Sequence, residues 1–329
     1  MSNITCATTV ELDRLASLNF LISQIVDLIA VLITLGSSVF TVKMIMTKSI
    51  FQNSTIILLL LNLFYAVLYQ VIYGIEAAIV IYKHFFMQDH PCELLQLESN
   101  CASYLKALLG AASGMILCQT GMILERTFAT FLHNYESKKS LIIGSSIAIF
   151  IFIVSSQTGR IVYWDDSLSG AVLACFVFPK QTSWRSTKYF FVCTAVTVFN
   201  LVISIILKRY NKKLEYQIRF KISARFHKRE VIESTGTICF LTFTQFIFMF
   251  IYSFGVSFMK TIRSYIEPGT YFFWVVWFYT VPFIAMLFPL LLMYRIRSTR
   301  AKRSQKIIGI SNKKLTQEEH INQIKSMWK

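Results

Sequence analysis

CASYLKALLGAASGMILCQTGMILER, residues 101–126, opens on a cysteine at a polar boundary, crosses an uncharged run from Ala107 to Leu124, and closes on Glu125-Arg126. A helix rising about 1.5 Å per residue carries Cys101 to Arg126 over roughly 37 Å, which is one hydrocarbon core and part of an interface. These two residues are therefore expected at opposite faces of a membrane. The rest of the chain reads as six further helices packed around this one.

Composition points the same way. The 329 residues are 55% hydrophobic and 15% aromatic, with 29 phenylalanines, and only 15% are charged, well below the roughly 25% of a soluble domain. Charged residues fall in blocks between long apolar runs, because an ion at bilayer depth is costly. The runs predict helices near 18–43, 53–78, 99–126, 140–162, 188–208, 233–259 and 271–294. The expected fold is an all-α membrane protein, a single seven-transmembrane-helix bundle spanning 1–329. Residues 1–17 form an N-terminal segment, 208–232 a basic loop and 295–329 a tail. The first segment lacks a basic n-region and a small-residue cleavage site, so the first run is expected to remain as a signal anchor. Only Asp27, Glu76 and Lys106 stand as isolated charges within the runs.

Orientation follows from lysine and arginine in alternate connections. With the N-terminus outside, internal segments hold 24 and external ones eight, so the positive-inside rule places the N-terminus outside and the tail in the cytoplasm. The formal charge of +16 then lies on the cytoplasmic side, facing lipid and protein partners and not nucleic acid. Asn3-Ile4-Thr5 is a glycosylation acceptor on the outer side, whereas Asn53-Ser54-Thr55 falls on the inner side and reads as chance. Of seven cysteines, Cys6, Cys92, Cys101 and Cys175 fall outside. Four cysteines allow three pairings, and sequence alone does not choose among them. The favoured pairing is Cys101 with Cys175, which would pin the connection between the fourth and fifth helices over the bundle's mouth and leave Cys6 with Cys92.

At the other end, Arg126 can pair locally with Glu125 or reach for a partner that neighbouring helices expose, so the dipeptide is a candidate switch. Ligand-binding candidates are Glu76 and Lys106, expected to pair across neighbouring helices, and Leu105, Leu108, Leu109 and Ala112 on one face of the third helix. The aromatics Phe250, Tyr252, Phe273 and Trp277 of the last two helices complete the list. No acid occupies the third-helix face, which argues against an amine held by a deep carboxylate. Gly255, Pro282 and Pro289 are candidate hinge points. The five histidines are read as loop and tail residues, and no hydrolase, phosphate-loop or metal-site motif occurs. Neither catalysis, a cofactor nor a metal is expected.

The joint spacing of Cys101 and Arg126 resembles that of rhodopsin-like G-protein-coupled receptors, in which a cysteine precedes the arginine of an Asp/Glu-Arg-Tyr motif by the same interval. Thr127 replaces the aromatic, no Asn-Pro-x-x-Tyr closes the seventh helix, the sixth lacks a Cys-Trp-x-Pro bend, and Asn62 stands where an aspartate is usual. Five stretches, NITCAT, ELDRLASLNF, CASYLKALL, RFHKREVIEST and TQFIFMFIYSFG, are similar to nematode serpentine chemoreceptors of class alpha, and the likeness covers nearly the whole chain. It implies a rhodopsin-like architecture and a plasma-membrane receptor in the sensory cilium of a chemosensory neuron. Its expected partners are a small external ligand and a heterotrimeric G protein. The G protein would dock on the basic third loop through Lys221, Arg225, Lys228 and Arg229, beside Glu125 and Arg126. A ligand-gated channel or transporter subunit is the alternative, but neither a polar stripe nor repeated half-broken helices are evident.

Overall fold

The computed structural model describes residues 6–48, 51–132, 137–163, 170–176, 178–179, 182–217, 222–311, 321–322 and 325–326. A short helix, α1 (Thr9–Ala16), precedes the long helices α2 (Leu18–Lys48) and α3 (Asn53–Phe86). Strand β1 (Gln96–Leu97) leads into α4 (Glu98–Phe131), followed by α5 (Ser137–Val162) and strand β2 (Ala171–Val172). The chain ends with α6 (Ser183–Gln217), α7 (Ile222–Ile262), α8 (Pro268–Phe278) and α9 (Val281–Ser311). Among the described residues, seven helices are long and apolar enough to cross a membrane, with α8 and α9 together forming the seventh. Large apolar side chains stand exposed along them, among them Leu32, Val39, Phe40, Ile149, Phe150 and Phe199, as a face against lipid requires.

The centre belongs to α4. Its apolar window is 72% buried, against 17% for α5, and it touches α3, α5, α6 and α7. Small residues let the neighbours approach, as is usual between membrane helices. A Cβ on Gly114 would meet the Tyr65 ring at 2.5 Å, and one on Gly159 of α5 would meet the Lys106 carbonyl oxygen at 2.5 Å and its Cα at 2.7 Å. Both glycines are therefore required by close approach, the first of a ring and the second of a neighbouring backbone.

Several helices outlast their apolar runs. The chain from Lys208 to Glu230 contains neither proline nor glycine, so α6 continues to Gln217 and α7 already begins at Ile222. Beyond Tyr294 no proline or glycine occurs before Gly309, and α9 runs unbroken to Ser311, where Arg303 binds Glu233 of α7 through Nε at 2.7 Å and through Nη2. The basic segment 208–232 and the segment from 295 are thus helical over most of their described length. His84 and His227 also lie within α3 and α7, and His84 Nδ1 donates to the Leu15 carbonyl at 2.7 Å.

The seventh span breaks at Tyr279–Thr280. Pro282 has no N–H to return to the preceding turn, so the chain restarts as α9 with Thr280 as its anchor. The Thr280 hydroxyl donates to the Phe248 carbonyl at 2.7 Å, and Gln70 Nε2 donates to the Pro282 carbonyl at 2.6 Å. Gly255 does not hinge α7, which is helical throughout. It makes room for Phe278, whose ring would stand 2.3 Å from a Cβ there.

Gly159→Ala should lower the thermal unfolding midpoint of the purified protein, because the obstacle is backbone and overpacking costs about 1–3 kcal/mol. Gly36→Ala, with nothing within 4 Å of its added carbon, should leave the midpoint unchanged or raised. Equal midpoints for the two variants would show that α5 does not lie against Lys106.

Candidate functional site

At the Cys101 end, covalent and backbone ties draw the connection after α5 across the bundle. Disulfides join Cys101 to Cys175 and Cys6 to Cys92. Strands β1 and β2 pair antiparallel, Gln96 with Val172 and Leu97 with Ala171. Two buried charges of α3 hold the same strap: Glu76 Oε1 accepts from the Cys175 amide at 2.5 Å, and Lys83 Nζ donates to the Leu173 carbonyl at 2.9 Å. The consequence is that Phe176 sits over Tyr73, with ring centroids 5.6 Å apart. The N-terminal segment is tied in by the Cys6 bridge and by the Ala7 amide, which donates to the Pro91 carbonyl at 2.8 Å. Thr8 and Glu11 cap α1 reciprocally, which places Arg14 at the rim.

Under the strap lies a cavity of about 420 Å³, within the range of small-molecule sites. Its walls include Phe20, Tyr73, Phe176, Phe190, Tyr252 and Tyr279, and its rim carries Arg14, Lys260 and Arg263. Gln24 and Asp27 of α2 also line it, both nearly sealed from solvent. Tyr73 donates to Asp27 Oδ2 at 3.3 Å, and the Gln24 Oε1 is buried with no hydrogen-bond partner among the described residues. Lys260 Nζ donates to Ser183 and Thr187 hydroxyls at 3.0 and 2.7 Å, neutral partners that leave its charge uncompensated. Burial lowers the pKa of Arg14, while Tyr271 and Glu11 act to raise it.

Tyr279 links this cavity to the helix break. It stacks on Tyr73 at 5.5 Å, meets Tyr252 edge-on at 5.4 Å, and its hydroxyl lies 2.7 Å from that of Tyr69. The residue at which the seventh span is interrupted is thus also a wall of the cavity.

Of the ligand candidates read from sequence, Tyr252 alone lines this cavity. Leu105, Leu108, Leu109 and Ala112 are buried in the helix core. Phe250 is 44% exposed and stacks on Phe254, Phe273 lines a separate pocket beside α1, and Trp277 donates to Asn19 at 2.9 Å. The expected Glu76–Lys106 pair is corrected: among the described residues no ion pair joins them, because Glu76 turns to the strap and the Lys106 Cβ leaves α4 beside Gly159 of α5. The argument against a deep carboxylate also falls, since Asp27 enters from α2. The sequence places Asp27 as an isolated charge in the outer half of its helix, 16 residues from Lys43, without deciding between a structural and a ligand role, and it gives no sign of Arg14, Gln24, Tyr73, Phe176, Lys260 and Tyr279.

At the opposite end, Glu125 and Arg126 are 0% and 1% exposed and pair with each other, with two contacts of 2.5 Å. The carboxylate also accepts from Ser54 at 2.6 Å and Thr55 at 3.1 Å, in the first turn of α3, where a helix dipole favours negative charge. Arg126 Nη2 donates to Gln52 at 2.8 Å, and Ser140 of α5 donates to Ser54 at 2.7 Å. Arg126 Nη1 is buried without a hydrogen-bond partner among the described residues. Asn211 of α6 donates to Thr130 at 2.9 Å, adding a fourth helix to the cluster. The polar run Gln52-Asn53-Ser54-Thr55 is the signal for these partners in the sequence, where Asn53-Ser54-Thr55 reads as a chance glycosylation match.

Arg229 bridges α7 to Glu215 of α6 at 2.9 Å, in an exposed pair of the kind worth at most about 1 kcal/mol. Arg225 and Lys228 fall within α7, but their side chains, like Lys221 and Asn3, lie outside the described residues.

A seven-helix bundle with a strapped cavity at one end and a closed ion-pair cluster at the other has the architecture of a multi-pass membrane receptor. The family model described as "Serpentine type 7TM GPCR chemoreceptor Sra" matches residues 1–328. Serpentine receptor class alpha-8 and class alpha-9 of Caenorhabditis elegans are 60% and 52% identical to the chain, each over 100% of both chains. Class alpha-6 of the same organism is 49% identical over the same share. The chain belongs to the Sra family of serpentine chemoreceptors, whose members are receptors and not enzymes.

Glu125→Gln should destabilise the protein by about 3–5 kcal/mol, because it leaves the buried guanidinium without its counter-charge. Glu125→Gln/Arg126→Gln should cost much less than the two single changes summed. Thermal unfolding of the four proteins measures the cycle, and additive losses would contradict a coupled pair.

Proposed function

We propose that this chain takes a small external ligand into the cavity beneath the Cys101–Cys175 strap and activates a heterotrimeric G protein at the Arg126 end. The cavity end faces outward and the Arg126 end faces the cytosol, in the plasma membrane of a chemosensory cilium. Both disulfides lie at the cavity end, as an oxidising compartment favours, and the excess of lysine and arginine falls toward the opposite end.

The observation that carries the reading is the double position of Tyr279, at once cavity wall and helix break. A ligand that displaces Tyr279 alters its contacts with Tyr252 of α7 and Tyr69 of α3 together. The far end of α7 carries Arg229 and Glu233, each ion-paired to a neighbouring helix. Movement of α7 would break those clasps and open the floor beside Arg126. Closed, Arg126 is held by Glu125 and Gln52; opened, it becomes available to the partner, with the bases of the α6 and α7 ends around it.

The test is a ligand screen on receptor reconstituted with G protein, read as nucleotide exchange. It is then repeated with Arg126→Ala and with Lys221, Arg225, Lys228 and Arg229 changed to glutamine. Ligand affinity should hold while exchange falls about tenfold or more. Undiminished exchange in both variants would remove the docking role.

A further inference from the structure

A second cavity of about 460 Å³ lies between the Arg126-side ends of α6, α7 and α9. Four of its lining residues are cations, Lys208, Arg295, Lys302 and Arg303, and the one acid among them is Glu233. Arg303 donates through two nitrogens to one oxygen of that carboxylate, Oε2. Against this one acid the cavity carries an excess of three positive charges.

Two of the three converge on a single point. Lys208 Nζ and Arg295 Nη2 each stand 3.8 Å from where a Cβ on Gly236 would be, so a residue without a side chain separates two like charges from different helices. Among the described residues, Lys208 has no hydrogen-bond or ion-pair partner. Arg295 has only the Phe240 ring, 5.4 Å beneath its guanidinium, and its Nε is buried without an acceptor. Like charges brought together in a partly sealed space repel unless an anion lies between them. The buried Thr299 hydroxyl also lines the cavity and supplies a neutral donor. This donor set, two or three cations and a hydroxyl about a small hollow, is the chemistry that recognises a phosphate group.

We propose that this hollow is a binding site for a multiply charged phosphate, a lipid headgroup or a soluble phosphate ester, that bridges Lys208, Arg295 and Lys302. A phosphate there ties α6 to α9 across Gly236 of α7 and adds to the Glu233–Arg303 clasp between α7 and α9, so it favours the closed arrangement of this end. The site depends on the seven-helix fold and not on the direction of signalling or on the identity of the cavity ligand.

The experiment uses the full-length receptor in nanodiscs, where both faces are accessible. One arm adds radiolabelled inositol trisphosphate to phosphatidylcholine nanodiscs. The other compares the thermal midpoint in nanodiscs containing phosphatidylinositol bisphosphate with that in nanodiscs carrying equal charge as phosphatidylserine. Saturable binding in the first arm identifies a soluble ester as sufficient, and stabilisation in the second arm alone identifies the lipid as the source. In either case Lys208→Gln/Arg295→Gln should weaken the effect by about tenfold or more. Gly236→Val, which fills the meeting point without altering charge, should weaken it as well. Arg297→Gln/Arg300→Gln removes the same charge from exposed positions of α9 outside the cavity and should leave it unchanged. Absence of an effect in both arms overturns the site, as does equal weakening by the Arg297/Arg300 variant.

Discussion

Sealing a carboxylate and a guanidinium inside the base of a membrane bundle is costly unless every remaining lone pair and proton finds a partner. Glu125 and Arg126 approach that condition by recruiting Gln52, Ser54 and Thr55 from the start of α3, with Ser140 of α5 behind them, and leave Arg126 Nη1 as the exception. The ion pair thereby fixes α4 against two neighbours at one end, and the Cys101–Cys175 bridge fixes it to the strap at the other. Between these anchors α4 contributes small and aliphatic residues to the core. The cavity lies beside it, walled by α2, α3, α6, α7, α8 and the strap, with α3, α6 and α7 packed directly on α4.

The two ends differ in kind. Beneath the strap, aromatic walls enclose a hollow with a cationic rim and a recessed carboxylate. At the base, polar groups of four helices close on one another and hold Arg126 inside. Tyr279 belongs to the first region by its side chain and to the mechanics of the seventh span by its backbone. A change at one end therefore has a physical route to α7 and α9, and through the Glu233–Arg303 contact to the other end.

The bundle was legible in the sequence because charge is expensive in lipid: blocks of charge mark where each span must stop. Helix ends were less legible, since leaving the membrane does not oblige a chain to leave the helix. The segment after Lys208 holds no proline or glycine up to Glu230, and the one after Tyr294 holds none before Gly309, so in both the helix runs on. Adjacent residues revealed Glu125–Arg126, but Ser54 and Thr55 are some seventy positions away and come into contact only through the fold. The cavity was the least legible part. Lipid-facing and core-facing positions are equally apolar in a membrane helix, so composition does not fix its rotation, and the face assigned to the ligand on α4 proved to be core. Asp27, Arg14 and Phe176 reach the cavity from α2, from a capped N-terminal helix and from a strap, none of which hydropathy orders in space.

Sidedness underlies the whole functional assignment and can be measured directly. Tyr265 is 87% exposed in the connection between α7 and α8, and Arg300 is exposed on α9, so Tyr265→Cys and Arg300→Cys place reactive thiols at opposite ends. A membrane-impermeant maleimide on intact cells should label Tyr265→Cys at once and Arg300→Cys only after permeabilisation. The reverse pattern would put the cavity in the cytosol and contradict the proposal that it takes an external ligand.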